Sequence, residues 1–368
     1  METSQIIRLL LAVAVACLAA FIFTPPVKAL AYKVGAIDVP KDNRRMHKKP
    51  IPRLGGLAIF IGFMLTVLLF AEIDREMRGV LLGSVIIVIL GVLDDSMALK
   101  ALPKFIVQIA AAGIAVYHGC VIQFISNPNV FSDYTYLNLG WLSVPLTIVW
   151  IVAITNAVNF IDGLDGLAVG VSTISTASLL VIALLVSEAN VAIILAALMG
   201  ACLGFLPYNL NPAKIFMGDT GATFLGYILA CLSVQGLFKF YAVISFAVPF
   251  LILGVPIFDI CFAILRRVAK GQNPMQADRG HVHHRLIDMG FNQKQSVAII
   301  YMLTGLLGLS AVVLTTSGEA RALLLIGAIL LVALVGFRLI FSKNPADNKA
   351  DEEQTQAETP SSDEGSGE

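Results

Sequence analysis

Two adjacent carboxylates, Asp94 and Asp95, close an apolar run, and Lys100 and Lys104 follow them. Three more polar groups interrupt other apolar stretches: Asn156, Asn159, Asp162 and Asp165; Gly218-Asp219-Thr220-Gly221; and His281, His283, His284 and Arg285. Carboxylates, amides, imidazoles and ammonium groups gathered beside a lipid surface are the components of a metal-assisted reaction on phosphates. Neighbouring helical residues diverge by about 100°, so only one of Asp94 and Asp95 can face a given point. Lys100, Lys104 and Gln108 form one stripe on the next helix, and the two lysines are candidate phosphate contacts. A neutralised structural pair is the competing reading, although one charge would serve as a helix-end anchor.

The other groups have plain readings as well. In NAVNFIDGLDGLA the two Asp-Gly steps should break the helix and expose backbone to a ligand. Asn156 and Asn159 can ligate a hard cation or bind a sugar or base, and the plain alternative is amide glue between helices. Asp219 is the first candidate for a metal ligand, placed where a helix N-terminus would also face an anion, with Asn159 the second and simple capping the alternative. His281, His283, His284 and Arg285 lack the companions a zinc site needs and read better as donors to a diphosphate, or as a basic loop against the membrane. Lys48, with Lys49 and Arg53, fits phosphate contact and ordinary positive-inside charge equally. Asp259 is an isolated acid within an apolar run.

The elements that must position these groups are membrane helices. The chain has 368 residues, 57% hydrophobic and 14% charged, with a mean hydropathy of +0.84, against about 25% charged in soluble proteins. Apolar runs at 6–23, 54–71, 167–186, 241–265, 297–314 and 322–341 reach the span length of about 17–25 residues. Shorter ones at 79–93, 102–117, 142–157, 191–206 and 222–237 bring the expectation to about eleven transmembrane helices in an all-α polytopic fold. Four of the five short runs abut a polar group, which places the candidate site below the headgroups. With alternating loops, one side collects 18 Lys/Arg and the other four, so the N-terminus is expected outside and the C-terminus and every polar group cytoplasmic. Segment 119–140 reads as a short hairpin on the outer side.

Residues 1–342 are expected to form the membrane domain and 343–368, with eight Asp/Glu against two Lys, a disordered acidic cytoplasmic tail. The first 23 residues resemble a signal peptide, but Arg8 inside the apolar stretch and the lack of a small-residue cleavage motif favour an uncleaved helix. The five cysteines show no CxxC pair and read as small core residues.

HKKPIPRLGG, DDSMALK, NAVNFIDGLDGLA, FMGDTG and HVHHRL, in this order, resemble the motifs of the polyprenyl-phosphate N-acetylhexosamine-1-phosphate transferases over roughly residues 1–342. The resemblance implies transfer of GlcNAc-1-phosphate from UDP-GlcNAc to undecaprenyl phosphate with release of UMP, at the cytoplasmic side of a bacterial plasma membrane. It implies Mg²⁺, with Mn²⁺ as a substitute, and matches Asp94, Asp95, Asn156, Asn159, Asp162, Asp165, Asp219 and the three histidines to the family's motifs. His281-Val282-His283-His284 replaces three consecutive histidines, as in the branch that starts teichoic acid, enterobacterial common antigen or O-antigen synthesis. That favours UDP-GlcNAc over UDP-MurNAc-pentapeptide and leaves another UDP-N-acetylhexosamine open. Membrane lipids are expected neighbours, a homodimer is compatible, and nucleic acid is not an expected partner. Direct displacement, with Asp94 positioning or deprotonating the acceptor, is favoured over a phospho-enzyme, because a phosphate monoester with a second pKa of about 6 is already largely dianionic at neutral pH. A cation-coupled transporter is the rival class, and a basic-faced scaffold a third.

Overall fold

A computed structural model of the chain describes residues 3–39, 50–126, 136–235, 247–269, 271, 281–317 and 327. Residues 1–318 form one compact unit and 319–368 a second, of which only Gly327 is described. Lys48, the run 322–341 apart from Gly327 and the tail 343–368 lie outside the described residues.

Among the described residues, ten of the eleven apolar runs are helical. In chain order the helices are α1 (Thr3–Val34), α2 (Gly56–Phe70), α3 (Arg75–Met97), α4 (Ala101–Tyr117), α5 (Ser143–Phe160), α6 (Leu167–Leu185), α7 (Ala189–Asn209), α8 (Gly218–Ser233), α9 (Ala247–Ile252), α10 (Gly254–Ala269), α11 (Val282–Asp288) and α12 (Gln293–Ser317). Among the described residues, six helices are long and apolar enough to cross a membrane, and α2 and α4 are shorter apolar helices. The chain is thus an all-α polytopic membrane protein.

The run 241–265 departs from the expected single helix. Its described part is α9 and α10, separated at Leu253 beside Gly254 and Pro256. Glycine lowers the cost of the break, and proline fits the first turn of the new helix. Strands β1 (Ile37–Asp38) and β2 (Ile51–Pro52) pair antiparallel, and the expected hairpin is present: β3 (Phe124–Ser126) pairs antiparallel with β4 (Tyr136–Asn138), Ile125 opposite Leu137.

Between helices in lipid there is little hydrophobic drive, so close packing of small residues must supply the attraction. On α1, buried Ala16 lies against Gly200 of α7 and buried Ala20 against Gly62 of α2. Gly200 and Gly204 of α7 let the backbones meet, since a Cβ on Gly204 would come within 2.1 Å of the Cys17 carbonyl oxygen. Helix α8 is the axis of the bundle. Every residue from Thr220 to Ser233 is buried, between α3 on one side and α5 on the other. Helix α3 starts at Asp74, whose Oδ1 accepts from the Met77 amide at 2.7 Å, and stops at Ala98, which turns left-handed at φ 51°. That turn places Asp94 and Asp95 inside the last helical turns, both buried.

Candidate active site

The first helical turn of α8 has no capping side chain of its own. Asp95 of α3 supplies one. Its Oδ1 accepts from the Asp219 amide at 3.0 Å, and its Oδ2 accepts from the Thr220 amide at 3.0 Å and hydroxyl at 2.6 Å. Arg53 completes the set, with Nε 3.0 Å and Nη2 2.9 Å from Asp95 Oδ1. Gly218 makes this possible, because it sits at φ +72° and any Cβ there would come within 2.5 Å of Asp95 Oδ2. The expectation that this helix N-terminus would meet an anionic ligand is therefore met by a protein carboxylate instead. Burial works against the Arg53 charge, but the carboxylates of Asp95, Asp219 and Asp94 hold its pKa above the ordinary arginine value.

Asp94 points elsewhere, as the 100° divergence requires. Its Oδ1 accepts from the Leu99 amide at 2.7 Å. Its Oδ2 lies 2.7 Å from Lys104 Nζ, and the same ammonium lies 3.0 Å from Asp219 Oδ2. Arg53 Nη2 is 3.6 Å from the other Asp219 oxygen. Two carboxylates from different helices thus converge on one cationic point.

Asp219 lines a cavity of about 770 Å³, together with Asp162, Asp165 and His284, a size within the roughly 300–1,000 Å³ of small-molecule sites. The Asp-Gly steps do break the chain: α5 ends at Phe160, and Gly166 at φ +80° precedes α6. Asp165 braces the opposite loop, accepting from Asn211 Nδ2 at 2.9 Å and the Ala213 amide at 3.0 Å. Enclosure by protein, then the charges of Asp219 and Asp95, push the Asp162 carboxyl up to about 7.

The histidine segment reaches the cavity through its last member. His281 Nδ1 is 2.7 Å from buried Asp259, which also accepts from the Val282 amide at 2.8 Å. Asp259, left open by sequence reasoning, is the anchor that starts α11 here. His283 is buried, and Gly163 is its floor: a Cβ there would come within 2.2 Å of His283 Nε2. Burial, reinforced by His284, pushes His283 down to about 4. Arg285 stacks its guanidinium over Phe262, 4.8 Å from the ring centre, away from the cavity lining.

Several candidates stand back from the cavity. Asn156 donates to Gln108 Oε1 at 2.7 Å and to the Val152 carbonyl at 2.7 Å, tying α5 to α4. Lys100 precedes α4 and is exposed. Asn159 is half-buried on the last turn of α5 and does not line the cavity. Sequence reasoning left Arg53 undecided between two roles, and named Thr220 within the Gly218-Asp219-Thr220-Gly221 group without giving it one.

The profile of Glycosyl transferase family 4 matches residues 77–237. The chain is 43% identical over 318 residues, 86% of its length and 88% of the relative's, to a Bacillus subtilis (strain 168) protein named "Probable undecaprenyl-phosphate N-acetylglucosaminyl 1-phosphate transferase". The chain belongs to the polyprenyl-phosphate N-acetylhexosamine-1-phosphate transferases. Two more relatives of this family are a decaprenyl-phosphate N-acetylglucosaminephosphotransferase of Mycobacterium tuberculosis, 35% identical over 80% of both chains, and an undecaprenyl-phosphate alpha-N-acetylglucosaminyl 1-phosphate transferase of Escherichia coli (strain K12), 29% identical over 76% of this chain and 77% of that one. The span matched by the transferase profile contains Asp94, Asp95, Lys104, Asp162, Asp165 and Asp219, and leaves Arg53 and the histidine segment to the flanks.

The residues fit a magnesium ion. Asp94 and Asp219 already share one cation through Lys104. Among the described residues no group of three or more His, Cys, Asp or Glu could enclose a metal. An ion that takes one or two carboxylates and fills its other positions with water and substrate phosphate suits that arrangement, whereas structural zinc requires a closed set of four ligands.

Proposed function

We propose that the protein transfers GlcNAc-1-phosphate from UDP-GlcNAc to undecaprenyl phosphate, releasing UMP. The observation that carries this is the Asp94–Lys104–Asp219 junction at a cavity large enough for a nucleotide sugar. The relatives' names agree on N-acetylglucosamine 1-phosphate and on a polyprenyl phosphate. His281-Val282-His283-His284 supports UDP-GlcNAc over UDP-MurNAc-pentapeptide.

An oxygen of the lipid phosphate attacks the β-phosphorus, the bond from that phosphorus to the bridging oxygen breaks, and UMP departs with the electron pair. Catalysis of this kind is mostly positioning and charge stabilisation. Lys104 contacts the incoming phosphate, and Asp94 orients it. Asp95 has both oxygens engaged by Arg53, Thr220 and the Asp219 amide, so it shapes the site rather than attacking. Asp219, with Asp94 beside it, would hold Mg²⁺, which when bound would neutralise diphosphate charge, whereas Asn159 stands back from the cavity. With its pKa raised to about 7 by burial, Asp162 is only partly ionised near neutral pH and repels the donor less than an ordinary carboxylate. His284 donates to the diphosphate from the cavity wall. The apolar runs support about eleven spans, and the Lys/Arg bias supports an outer N-terminus and a site facing the cytoplasm of a bacterial plasma membrane.

Purified protein given UDP-GlcNAc, undecaprenyl phosphate and Mg²⁺ releases UMP, and EDTA stops the release; no UMP above a protein-free control overturns the reading. A panel of UDP-sugars tests the donor. Asp219→Asn abolishes turnover and leaves the melting temperature near that of wild type, whereas retained turnover at saturating Mg²⁺ removes Asp219 from the metal site. Trapping a phospho-aspartate from UDP-GlcNAc without lipid would replace direct displacement by a two-step route.

A further inference from the structure

The cavity wall carries cations that the reaction described above does not use. Helix α1 has 32 residues, about 48 Å at 1.5 Å per residue, whereas a hydrocarbon core is about 30 Å thick. Its last turns run beyond the apolar stretch and bring half-buried Lys28 to the cavity, with Tyr32 one turn further on the same face. Lys214 lines the same cavity from the loop between α7 and α8.

The charged groups of this wall differ in how they are satisfied. Arg53 is bound to Asp95 and Asp219. Asp219 is further matched by Lys104, and Asp165 by Asn211 and the Ala213 amide. Among the described residues neither Lys28 nor Lys214 forms an ion pair or a side-chain hydrogen bond. Half-buried Lys28 and exposed Lys214 therefore line, without a protein ion pair, the cavity that Asp219 also lines, with Asp38, Asp162 and Asp165 the other acids of its wall. An anion compensates them, and a phosphate accepts charge-assisted hydrogen bonds from both.

We propose that Lys28 and Lys214 bind the nucleotide phosphate of the donor, with the Tyr32 ring beside the base. This rests on the function proposed above and adds the subsite for the leaving group. The phosphate held there is the α-phosphate, which receives the electron pair when the bond to the β-phosphorus breaks and departs as UMP. Stabilising charge where it develops is the effective use of a fixed cation in catalysis. The acceptor phosphate meets Lys104, so the two substrates draw on separate lysines. An aromatic ring beside a base adds stacking without sequence-like selectivity.

The test measures binding of UMP, UDP-GlcNAc and uridine to the full-length protein in detergent, by calorimetry without lipid, for wild type, Lys28→Gln, Lys214→Gln, the double variant and Tyr32→Ala. Each lysine variant is expected to weaken UMP and UDP-GlcNAc about tenfold, and the pair about a hundredfold, as loss of one charge-assisted hydrogen bond each implies. Uridine affinity is unchanged in the lysine variants and falls in Tyr32→Ala. The KM for undecaprenyl phosphate stays at its wild-type value, and Lys28→Arg restores nucleotide binding. Unchanged nucleotide affinity in the double variant overturns the inference, as does a raised KM for undecaprenyl phosphate alone, which would assign the lysines to the acceptor. A wild-type protein that binds no nucleotide and releases no UMP fails the proposed function as well, so the two failures are distinct.

Discussion

Adjacent acids in a helix cannot share a task, and Asp94 and Asp95 divide accordingly. Asp95 is buried under four donated hydrogen bonds, three of them from the first turn of α8 and one from Arg53 Nε, with Arg53 Nη2 in ion-pair contact as well. Asp94 meets Lys104 at the junction with Asp219. Removing one partner of a buried ionic network costs about 3–5 kcal/mol, because the remaining charge is left uncompensated. Asp95→Ala is therefore expected to lower the melting temperature by several degrees and activity with it. Asp94→Asn should lose UMP release with little change in melting temperature. Equal stability of the two variants in a thermal scan would contradict this division. Spacing alone established that the two carboxylates diverge. It could not say which one faces the ligand, because that depends on where α8 starts in space.

At the scale of elements, the break between α5 and α6 and the start of α11 act as one unit. Gly163 supports His283 at a distance that excludes a side chain, and Asp259 of α10 ties down His281 and the Val282 amide. Gly163→Ala is expected to displace α11 and lower activity at least tenfold while Asp219-dependent packing persists, read as lost turnover with a cooperative melt. The same unit carries a pH dependence. His283 is held at about 4 by burial, below its unfolded value of about 6.5. In that interval the unfolded chain binds the extra proton, so the stabilisation is complete above about 6.5 and is lost as pH falls toward 4. The full difference is on the order of 3 kcal/mol. Melting temperatures from pH 7 to 4.5 should fall more steeply for wild type than for His283→Gln. The glycines of NAVNFIDGLDGLA announced a break, but not that one of them makes room for a residue about 120 positions later.

For the whole molecule, the polar groups are gathered near one end of the bundle around a cavity, and that arrangement separates an enzyme site from a mid-membrane transport path. The sidedness proposed from the Lys/Arg bias is open to labelling. A cysteine at exposed Lys214, on a background without the five native thiols, should react with an impermeant maleimide only from the cytoplasmic side. A cysteine at Trp141, 82% exposed beside the β3–β4 hairpin, should react only from outside, and the reverse pattern would invert the topology.

Composition and apolar run length were enough to establish a polytopic helical protein, because bilayer thickness imposes a length on every span. The motif order was enough to identify the family, and residue type was enough to nominate Asp94, Asp219, Lys104 and Asp162. The tertiary structure alone decided that Asp95 caps α8, that Arg53 is its counter-ion, that Asp259 anchors His281, and that the far end of α1 brings Lys28 to the cavity. Each of those contacts joins segments separated by 20 to 200 residues, and helix periodicity carries no information about which faces meet once the bundle closes.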